Sequence, residues 1–274
     1  MSSTSERLIK PRWGWQPVDL VELWCYRELL VYLAWRDIKV RYKQTIFGGL
    51  WAILQPLIGT AIFAVLFTRV VSISSGQCPY PLFAYTGLVT WTFFANALQL
   101  SSNSLIGSEK LISKTYFPRL FIPIGTILAL MLDLLIGLAL MVVLLVYYRW
   151  RLTPALLWLP IFVVGSFLTA SGMGLLLSAW NVRYRDVRYV VPFFIQMAFF
   201  VTPVVYPMSY VPPGLQVIVG VNPMAGMVEG VRYALLGIPV SWTLICSSAA
   251  VSILLFGMGL YVFRRMERTF ADVI

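Results

Sequence analysis

Residues 120–148 read LFIPIGTILALMLDLLIGLALMVVLLVYY, and Asp133 is the only charged residue among them. A helix needs about 20 mostly apolar residues to cross the hydrocarbon core of a bilayer. The stretch therefore predicts a membrane-spanning helix with a carboxylate near its middle. We find no second acid at that depth and no Lys or Arg partner. Because such a carboxylate is costly, we expect Asp133 to be a neutral or hydrogen-bonded structural group; a proton site is the alternative.

The composition of the whole chain is that of a membrane protein. The 274 residues have a mean hydropathy of +0.82, with 59% hydrophobic and 12% charged residues, whereas soluble domains contain about 25% charged residues. This excludes a soluble enzyme and a nucleic-acid-binding protein, despite the formal net charge of +10. Histidine, the commonest general base and zinc ligand, is absent from the sequence. We expect no catalytic residue and no metal site.

Uncharged stretches predict six transmembrane helices. We expect an all-α polytopic membrane protein with a cytoplasmic N-terminal segment at 1–45 and a transmembrane domain at 46–274. The expected spans are approximately 46–70, 82–106, 120–148, 155–180, 189–208 and 241–263. The fifth span contains Pro192, Pro203 and Pro207, and proline removes a backbone donor and kinks a helix. We expect this span to be kinked, either for opening or for packing alone.

The distribution of basic residues predicts the orientation of the spans. Cytoplasmic loops of membrane proteins are enriched in Lys and Arg. With the N terminus inside, 17 of the 21 Lys and Arg residues lie on the cytoplasmic side. The other four are Arg69, Arg149, Arg151 and Arg232. We therefore expect both termini to be cytoplasmic, and most of the positive charge to reflect topology.

The segment before the first span is helical in composition but cannot cross a bilayer. Between Asp19 and Val40, the charged residues Arg27 and Glu28 interrupt the apolar run. We predict an interfacial helix on the cytoplasmic leaflet. The alternative is a helix that packs against the cytoplasmic loops of the protein itself.

Residues 211–239 are too apolar for a water-exposed loop and too interrupted for a span. A crossing here would place Glu229 and Arg232 in hydrocarbon and would invert the charge distribution downstream. We predict two short re-entrant helices between spans five and six, with Asn222 as an N-cap, Pro223 at the first helical position and Glu229 paired with Arg232. The expected role is an outer gate, with packing alone as the alternative. The candidate gate residues are Pro203, Tyr206, Pro207, Asn222, Glu229 and Arg232.

Five segments resemble the ABC-2 type permeases that export polysaccharides such as O-antigen, capsule and teichoic acid. They occur in the same order and at the same loop positions as in that family. The segments are RDIKVRYKQTIFGGLWAILQP at 36–56, KTYFPRLFIP at 114–123, NVRYRDV at 181–187, TPVVYP at 202–207 and NPMAGMVEGVR at 222–232. One segment alone would be weak, but five in register are specific.

The resemblance implies a homodimeric permease that works with two separate ATPase subunits. Consistent with that division, the sequence lacks the Gly-x-x-x-x-Gly-Lys-Ser/Thr loop that cradles nucleotide phosphates. We therefore expect no enzymatic activity and no cofactor on this chain, with ATP and Mg bound by the partner subunit. Further expected partners are membrane lipid and a lipid-linked polysaccharide, and the expected location is the cell inner membrane.

The loop between spans two and three is the expected contact with the ATPase. Ser108 is a candidate N-cap, and Pro118 is expected to stop a helix of one or two turns. In the family, a short coupling helix at this position docks in a cleft of the ATPase. Polar contacts are expected from Glu109, Lys110 and Lys114, and apolar anchors from Leu111, Ile112 and Phe117, with Arg119 completing the loop. An ordinary basic loop that only enforces topology is the alternative.

The resemblance also implies that spans one and five line a tunnel between two protomers. Aromatic rings suit a sliding glycan because they stack on sugar C–H faces without fixing a register. The candidate tunnel residues are Phe47, Trp51, Phe63, Phe67, Phe193 and Phe200, with Met197 between the last two. For any single ring, a lipid-facing or core position is the more common alternative. A separate basic cluster, Arg183, Arg185 and Arg188, is a candidate site for the pyrophosphate of a lipid-linked substrate. The equal alternatives are that it only adds to the inside-positive charge or that it contacts the ATPase.

Together these features predict the permease subunit of an ATP-driven exporter, which moves a lipid-linked, O-antigen-like polysaccharide outward. One alternative is an ABC-2 exporter of a small hydrophobic molecule. Others are a membrane-embedded enzyme acting on polyprenyl-linked sugars, which should show clustered carboxylates, and an ion-coupled carrier, which should show intramembrane charged pairs.

Overall fold

The computed structural model describes residues 20–43, 50–67 and 78–270, and the regular structure in these ranges is helical. The helices are α1 (Leu20–Cys25), α2 (Arg27–Lys43), α3 (Leu50–Val65), α4 (Tyr80–Gly107), α5 (Glu109–Lys114), α6 (Phe121–Tyr147), α7 (Leu159–Arg183), α8 (Val187–Val201), α9 (Pro213–Val221), α10 (Pro223–Leu236) and α11 (Trp242–Met266). Short 3₁₀ turns occupy Pro154–Trp158, Met208–Tyr210 and Glu267–Thr269.

Three helical segments in the described ranges are long and apolar enough to cross a bilayer. They are Phe121–Tyr147, Pro154–Arg183 and Trp242–Thr269, which match the third, fourth and sixth predicted spans. Helices α3 and α8 are apolar but shorter, and both ends of the first predicted span lie outside the described residues. Helix α4 is 28 residues long and corresponds to the second predicted span. The count of six crossings and the orientation of the termini stay predictions.

The fifth predicted span is shorter than expected. Helix α8 ends at Val201, where the Thr202 N–H still bonds to the Ala198 carbonyl. Pro192 lies inside the helix, whereas Pro203 and Pro207 follow its end. The expectation of a kinked helix over 189–208 is therefore wrong for the last two prolines. Since proline lacks an N–H group and clashes with the preceding turn, these residues end the helix rather than bend it.

Helix α4 lies at the centre of the molecule. It packs against α3, α6, α7, α8 and α10, and its residues Leu82, Ala84, Tyr85, Ala97 and Leu98 have no exposed surface. On the far side of α7 lies α11, in the most extensive helix pair of the fold. Helices α3 and α8 thus flank one side of α4, opposite α7 and α11.

Glycine permits the close approach of α7 and α11. A methyl group on Gly172 would lie 2.6 Å from the backbone of Leu255, and one on Gly259 would lie deep inside contact distance of the Gly172 carbonyl. Beside this crossing, the hydroxyls of Thr169 and Ser252 lie 2.8 Å apart. Small residues and hydroxyl pairs are the usual means by which membrane helices associate, because lipid provides little hydrophobic drive between them.

The N-terminal helix α2 packs along α6. Leu33 is buried against Gly125, and the Thr126 hydroxyl donates to Asp37 at 2.9 Å. Further along, Arg41 pairs with Asp133 at 2.8 Å. The interfacial location of α2 stays a prediction, but its inner face clearly contacts a long apolar helix and not only cytoplasmic loops.

Asp133 therefore has the basic partner that the sequence analysis did not find. Its second oxygen accepts a short hydrogen bond from the Tyr42 hydroxyl. Both partners lie about 90 positions earlier in the chain, on α2 rather than on a neighbouring span. A charge compensated in this way can be retained among apolar helices.

We expect the α7–α11 crossing to tolerate substitution at one glycine of α11 and not at another. Gly259→Ala forces a methyl group into the Gly172 backbone, so it should lower the midpoint of thermal unfolding in detergent by several degrees. Gly257→Ala is the matched control, since its added methyl group meets nothing within 4 Å and alanine favours helix by about 1 kcal/mol. Equal losses in the two variants would contradict a close-packed crossing.

Candidate functional site

Arg232 of α10 holds the segment that follows α8 against the central helix α4. Its side chain has no exposed surface. The guanidinium Nη1 donates to Glu229 Oε1 and to the Pro203 carbonyl, both at 2.7 Å, and Nη2 makes a short bond to the Val204 carbonyl. The same group lies 3.6 Å from the ring centroid of Phe83 on α4. We call this arrangement the Arg232 clamp.

Local geometry allows the chain after α8 to enter the clamp. The Val204 N–H bonds back to the Thr202 carbonyl at 2.7 Å, so the chain turns sharply there. Gly87 of α4 leaves room for the turn, because a methyl group at that position would overlap the Val204 carbonyl oxygen. The Tyr80 hydroxyl also donates to the Val205 carbonyl at 2.7 Å. Backbone carbonyls beyond the helix are thus satisfied by side chains of α4 and α10.

Asn222 joins α10 to the same turn. Its Oδ1 accepts the Met224 N–H at 3.0 Å, and its Nδ2 donates to the Thr202 hydroxyl at 2.8 Å. Pro223 occupies the first helical position. The structure confirms the predicted cap, the Glu229–Arg232 pair and the two short helices over 211–239. Their depth in a bilayer stays a prediction.

The candidate gate residues lie close together around the clamp. Pro203, Asn222, Glu229 and Arg232 are linked by the bonds above, and the Tyr206 hydroxyl donates to the Phe200 carbonyl at 2.8 Å. Pro207 follows, and its carbonyl accepts the Tyr210 N–H. The set is therefore one structural unit. Its role as an outer gate stays a prediction.

An exposed aromatic face runs along α8. Phe193 is 61% and Phe200 is 69% exposed, with Met197 between them and Trp51 exposed on α3. A groove of about 540 Å³ lies beside this face, and its lining includes Gln55 of α3, Thr92 of α4 and Gln196 of α8. We call it the aromatic groove.

The other candidate tunnel rings are in a different environment. Phe63 and Phe67 stack at 5.9 Å, as their spacing predicted, but Phe63 also packs on Phe199 at 5.9 Å and Phe67 on Tyr80 at 5.8 Å. These two rings are partly buried against the core. Phe47 lies outside the described residues.

The predicted coupling helix is α5. Glu109, Lys110 and Lys114 are exposed on it, and Leu111 is partly exposed. Ser108 occupies the N-cap position without a side-chain bond, and the helix ends at Lys114, before Pro118.

Ile112 and Phe117 do not form exposed anchors. They are 5% and 4% exposed and belong to an internal cluster with Leu33, Leu105 and Phe263. Amphipathic packing explains the correction, because a short helix at the protein surface buries its own apolar side.

The segment after α5 is attached to the C-terminal end of α11. The Arg119 N–H donates to Glu267 Oε1 at 3.2 Å, and the Arg119 guanidinium makes a short bond to the Glu267 carbonyl. Nearby, the Tyr116 hydroxyl donates to Glu22 at 3.3 Å. Burial raises the pKa of Tyr116, and the Glu22 carboxylate raises it further. Both effects favour the protonated hydroxyl, which is the form that donates to Glu22.

The three candidate pyrophosphate ligands are exposed around the junction of α7 and α8, with Arg183 at the end of α7 and Arg188 in the first turn of α8. Arg188 lies 4.7 Å from the Tyr189 ring centroid and bonds to its hydroxyl, while Arg183 lies 5.6 Å from the Tyr184 ring. Arg185 is exposed beside them. The guanidiniums do not converge on one point in these contacts. In residues 20–43, 50–67 and 78–270, no group of three acidic or cysteine side chains could hold a metal ion.

Sequence reasoning missed the polar groups that α4 presents toward α2. Asn96, Gln99 and Asn103 lie at helical spacing on this central helix, close to Arg36 and Arg41. Their spacing in the sequence was a usable signal, since a membrane helix rarely carries three amides on one side without a wet or polar neighbour.

Comparison with known proteins places the chain among transporters. The model of the ABC-2 type transporter family matches residues 28–236. The O-antigen export system permease protein RfbA of Klebsiella pneumoniae is 31% identical over 251 residues, covering 90% of this chain and 95% of that protein. RfbA of Myxococcus xanthus is 27% identical over 92% of this chain and 98% of its own. The polysialic acid transport protein KpsM of Escherichia coli is 24% identical over 73% and 78%.

We expect the Arg232 clamp to be essential for stability. Arg232→Met leaves the Glu229 carboxylate and the carbonyls of Pro203 and Val204 without their donor, and breaking a buried ion pair costs about 3–5 kcal/mol. The variant should unfold at a much lower temperature in detergent and expose the 202–206 segment to protease. Arg151→Met, at an exposed position, is the control. An unchanged unfolding temperature for the Arg232 variant would show that the clamp does not hold the fold.

Proposed function

Because the chain belongs to the ABC-2 type transporter family, we propose that it is the permease subunit of an ATP-driven exporter of lipid-linked polysaccharide. The relatives named O-antigen export permease and polysialic acid transport protein support the cargo class. In this proposal two copies form the pathway in the inner membrane, and the glycan moves from the cytoplasm outward. Two separate ATPase subunits bind ATP and Mg.

The observation that carries the proposal is the mixed chemistry of the aromatic groove. Phe193, Met197 and Phe200 would suit lipid as well as sugar. Gln55 and Gln196 would not suit lipid, because an amide with no partner in hydrocarbon costs several kcal/mol. Rings and amides together fit a hydrated cargo that has both C–H faces and hydroxyl groups. A small hydrophobic cargo would need only the rings.

The proposal also explains why the groove is open on one side. A hydrated glycan is too wide for the middle of one six-helix bundle, so each protomer supplies half of a wall. Helix α8 has little of its surface buried, with Val191 its single buried residue in the described structure. A second copy facing α3 and α8 would close the pathway between the two subunits.

In this proposal, the energy of ATP hydrolysis must be transmitted to α3 and α8 from the cytoplasmic side. Glu109, Lys110 and Lys114 face outward on α5 and fit the polar contacts of an ATPase cleft. Hydrogen bonds from Arg119 to Glu267 attach the segment after α5 to the C-terminal end of α11. Movement of α5 would therefore pass to the start of α6 and to α11 together.

We expect removal of the exposed rings to reduce export and leave assembly intact. Phe193→Ala with Phe200→Ala should lower surface glycan several-fold in cells that carry the permease, an ATPase and a lipid-linked glycan, because two stacking surfaces are lost. Surface glycan is measured by antibody binding to intact cells. Leu254→Ala on α11, equally exposed, is the matched control. Normal export by the double variant would contradict a glycan-facing α8.

We expect charge reversal on α5 to weaken ATPase binding. Lys110→Glu with Lys114→Glu should reduce co-purification of the ATPase by about tenfold or more, which corresponds to 1.4 kcal/mol. Arg149→Glu with Arg151→Glu carries the same charge change on the opposite side and should have no effect. If the two double variants retained the ATPase equally, α5 would not be the contact. Hydrolysis of ATP by the purified chain alone would overturn the division of labour.

A further inference from the structure

A second groove lies beside the carboxyl-terminal half of α4, next to α5. It has a volume of about 630 Å³ and is bounded by α2, α4 and α6. Its polar lining includes Arg36, Asp37, Arg41, Asn96 and Gln99, and its apolar lining includes Val40, Leu100 and Leu130. We call it the amide groove. The role proposed above for the aromatic face does not account for it.

The charges of the amide groove are balanced in pairs. Arg36 pairs with Asp37 and Arg41 with Asp133, each at 2.8 Å. The two arginine side chains nevertheless remain 38% and 32% exposed and line the groove. A pyrophosphate ligand needs uncompensated positive charge, and this groove does not offer it.

The amides of the groove have hydrogen-bonding capacity to spare. Asn96 and Gln99 are partly exposed, and neither side chain is seen to hydrogen-bond to another residue in the described ranges. Asn103, one turn further, differs because its Nδ2 donates to the Gln99 carbonyl and its Oδ1 accepts from Asn181. Polyprenyl or acyl chains would leave the first two amides unsatisfied, at a cost of several kcal/mol. The groove therefore disfavours a purely hydrocarbon occupant.

We propose that the amide groove binds neutral sugar units of the exported glycan through their hydroxyl groups. The amides of Asn96 and Gln99 each offer both a donor and an acceptor, and the guanidiniums offer donors, so together they can bond to hydroxyl groups in either direction. Val40 and Leu100, both exposed, supply contact for the sugar C–H faces. The inference rests on the proposed export function and adds to it a hydrogen-bonding site on α2 and α4, apart from the rings of α3 and α8.

The position of the amide groove connects it to the aromatic groove. A small cavity between them is lined by Arg41 and Asn96, which it shares with the amide groove, and by Gln55 and Thr92, which it shares with the aromatic groove. Polar side chains thus continue along α4 from its end beside α5 to the rings of α8. Sugar units held at Asn96 and Gln99 would lie at the start of this route.

Photo-cross-linking tests the identity of the occupant. Benzoylphenylalanine is introduced at Leu100 in the full chain with its ATPase, in cells that do or do not make a lipid-linked polymannose chain. We expect adducts of high mass that are cleaved by mannosidase and appear only in glycan-producing cells. The same probe at Ile253, exposed on α11, should give none. Adducts with phospholipid, or with polyprenyl phosphate lacking sugar, would overturn the proposal.

Substitution tests the contribution of the amides. Asn96→Leu with Gln99→Leu keeps the side-chain size and should lower export of the same glycan several-fold, with ATPase binding and thermal stability unchanged. Gln216→Leu, the same change on α9, is the control. Conservative Asn96→Gln should retain more export than Asn96→Leu.

The outcomes distinguish a failure of the proposed export function from a failure of the amide-groove proposal. No glycan export by the wild-type complex would contradict the proposed function itself. Export by wild type and by the double leucine variant at equal rates, with no sugar adduct at Leu100, would contradict the amide groove alone.

Discussion

Arg232 is a full positive charge buried among apolar helices, and the surrounding chain is arranged to supply its acceptors. Glu229 alone would neutralise the charge, yet the guanidinium also takes the carbonyls of Pro203 and Val204. Those two carbonyls follow the end of α8, so the same bonds fix where α8 stops and which way it points. Removing one partner of a buried ion pair costs about 3–5 kcal/mol. The position of the exposed face of α8 therefore depends on Arg232, which is itself fully buried.

A second ion pair, partly buried, constrains α2 and α6. Arg41 and Tyr42 of α2 both contact Asp133 of α6. Helix α3 is the next helix after α2 in the sequence. Helix α5, the proposed contact with the ATPase, precedes α6 and is joined to it by the segment that contains Pro118 and Arg119. Under the proposed function, motion at α5 would reach α3 through α6, which packs against it, while the Arg232 clamp keeps the end of α8 in place. Helices α3 and α8, which form the two walls of the aromatic groove, are thus held by different contacts.

The sequence was sufficient for features that depend on local spacing. Hydropathy and charge located the long helices, the three-residue spacing predicted the Glu229–Arg232 pair, and Asn222-Pro223 predicted a helix start. It was insufficient where distant segments meet. The partner of Asp133 comes from α2, and Ile112 and Phe117 turn inward because α2, α4 and α11 offer them a cluster. The sequence predicted kinks at Pro203 and Pro207, but these residues follow the end of α8. Nothing in the local sequence reveals that Arg232 donates to the carbonyls of Pro203 and Val204.

The distribution of polar groups separates a route from a lipid surface. Lipid-facing surface rewards apolar side chains and penalises each amide, whereas a packed core can satisfy amide donors internally, as where Asn181 Nδ2 donates to the Ser102 carbonyl and to Asn103 Oδ1. Asn96, Gln99, Gln55 and Gln196 follow neither pattern, because they line grooves and keep exposed polar atoms. Such residues persist in a membrane protein where water or a hydroxylated ligand reaches them. Under the proposed function, their continuity along α4 and α8, rather than the rings alone, would mark the surface along which a hydrated polymer moves.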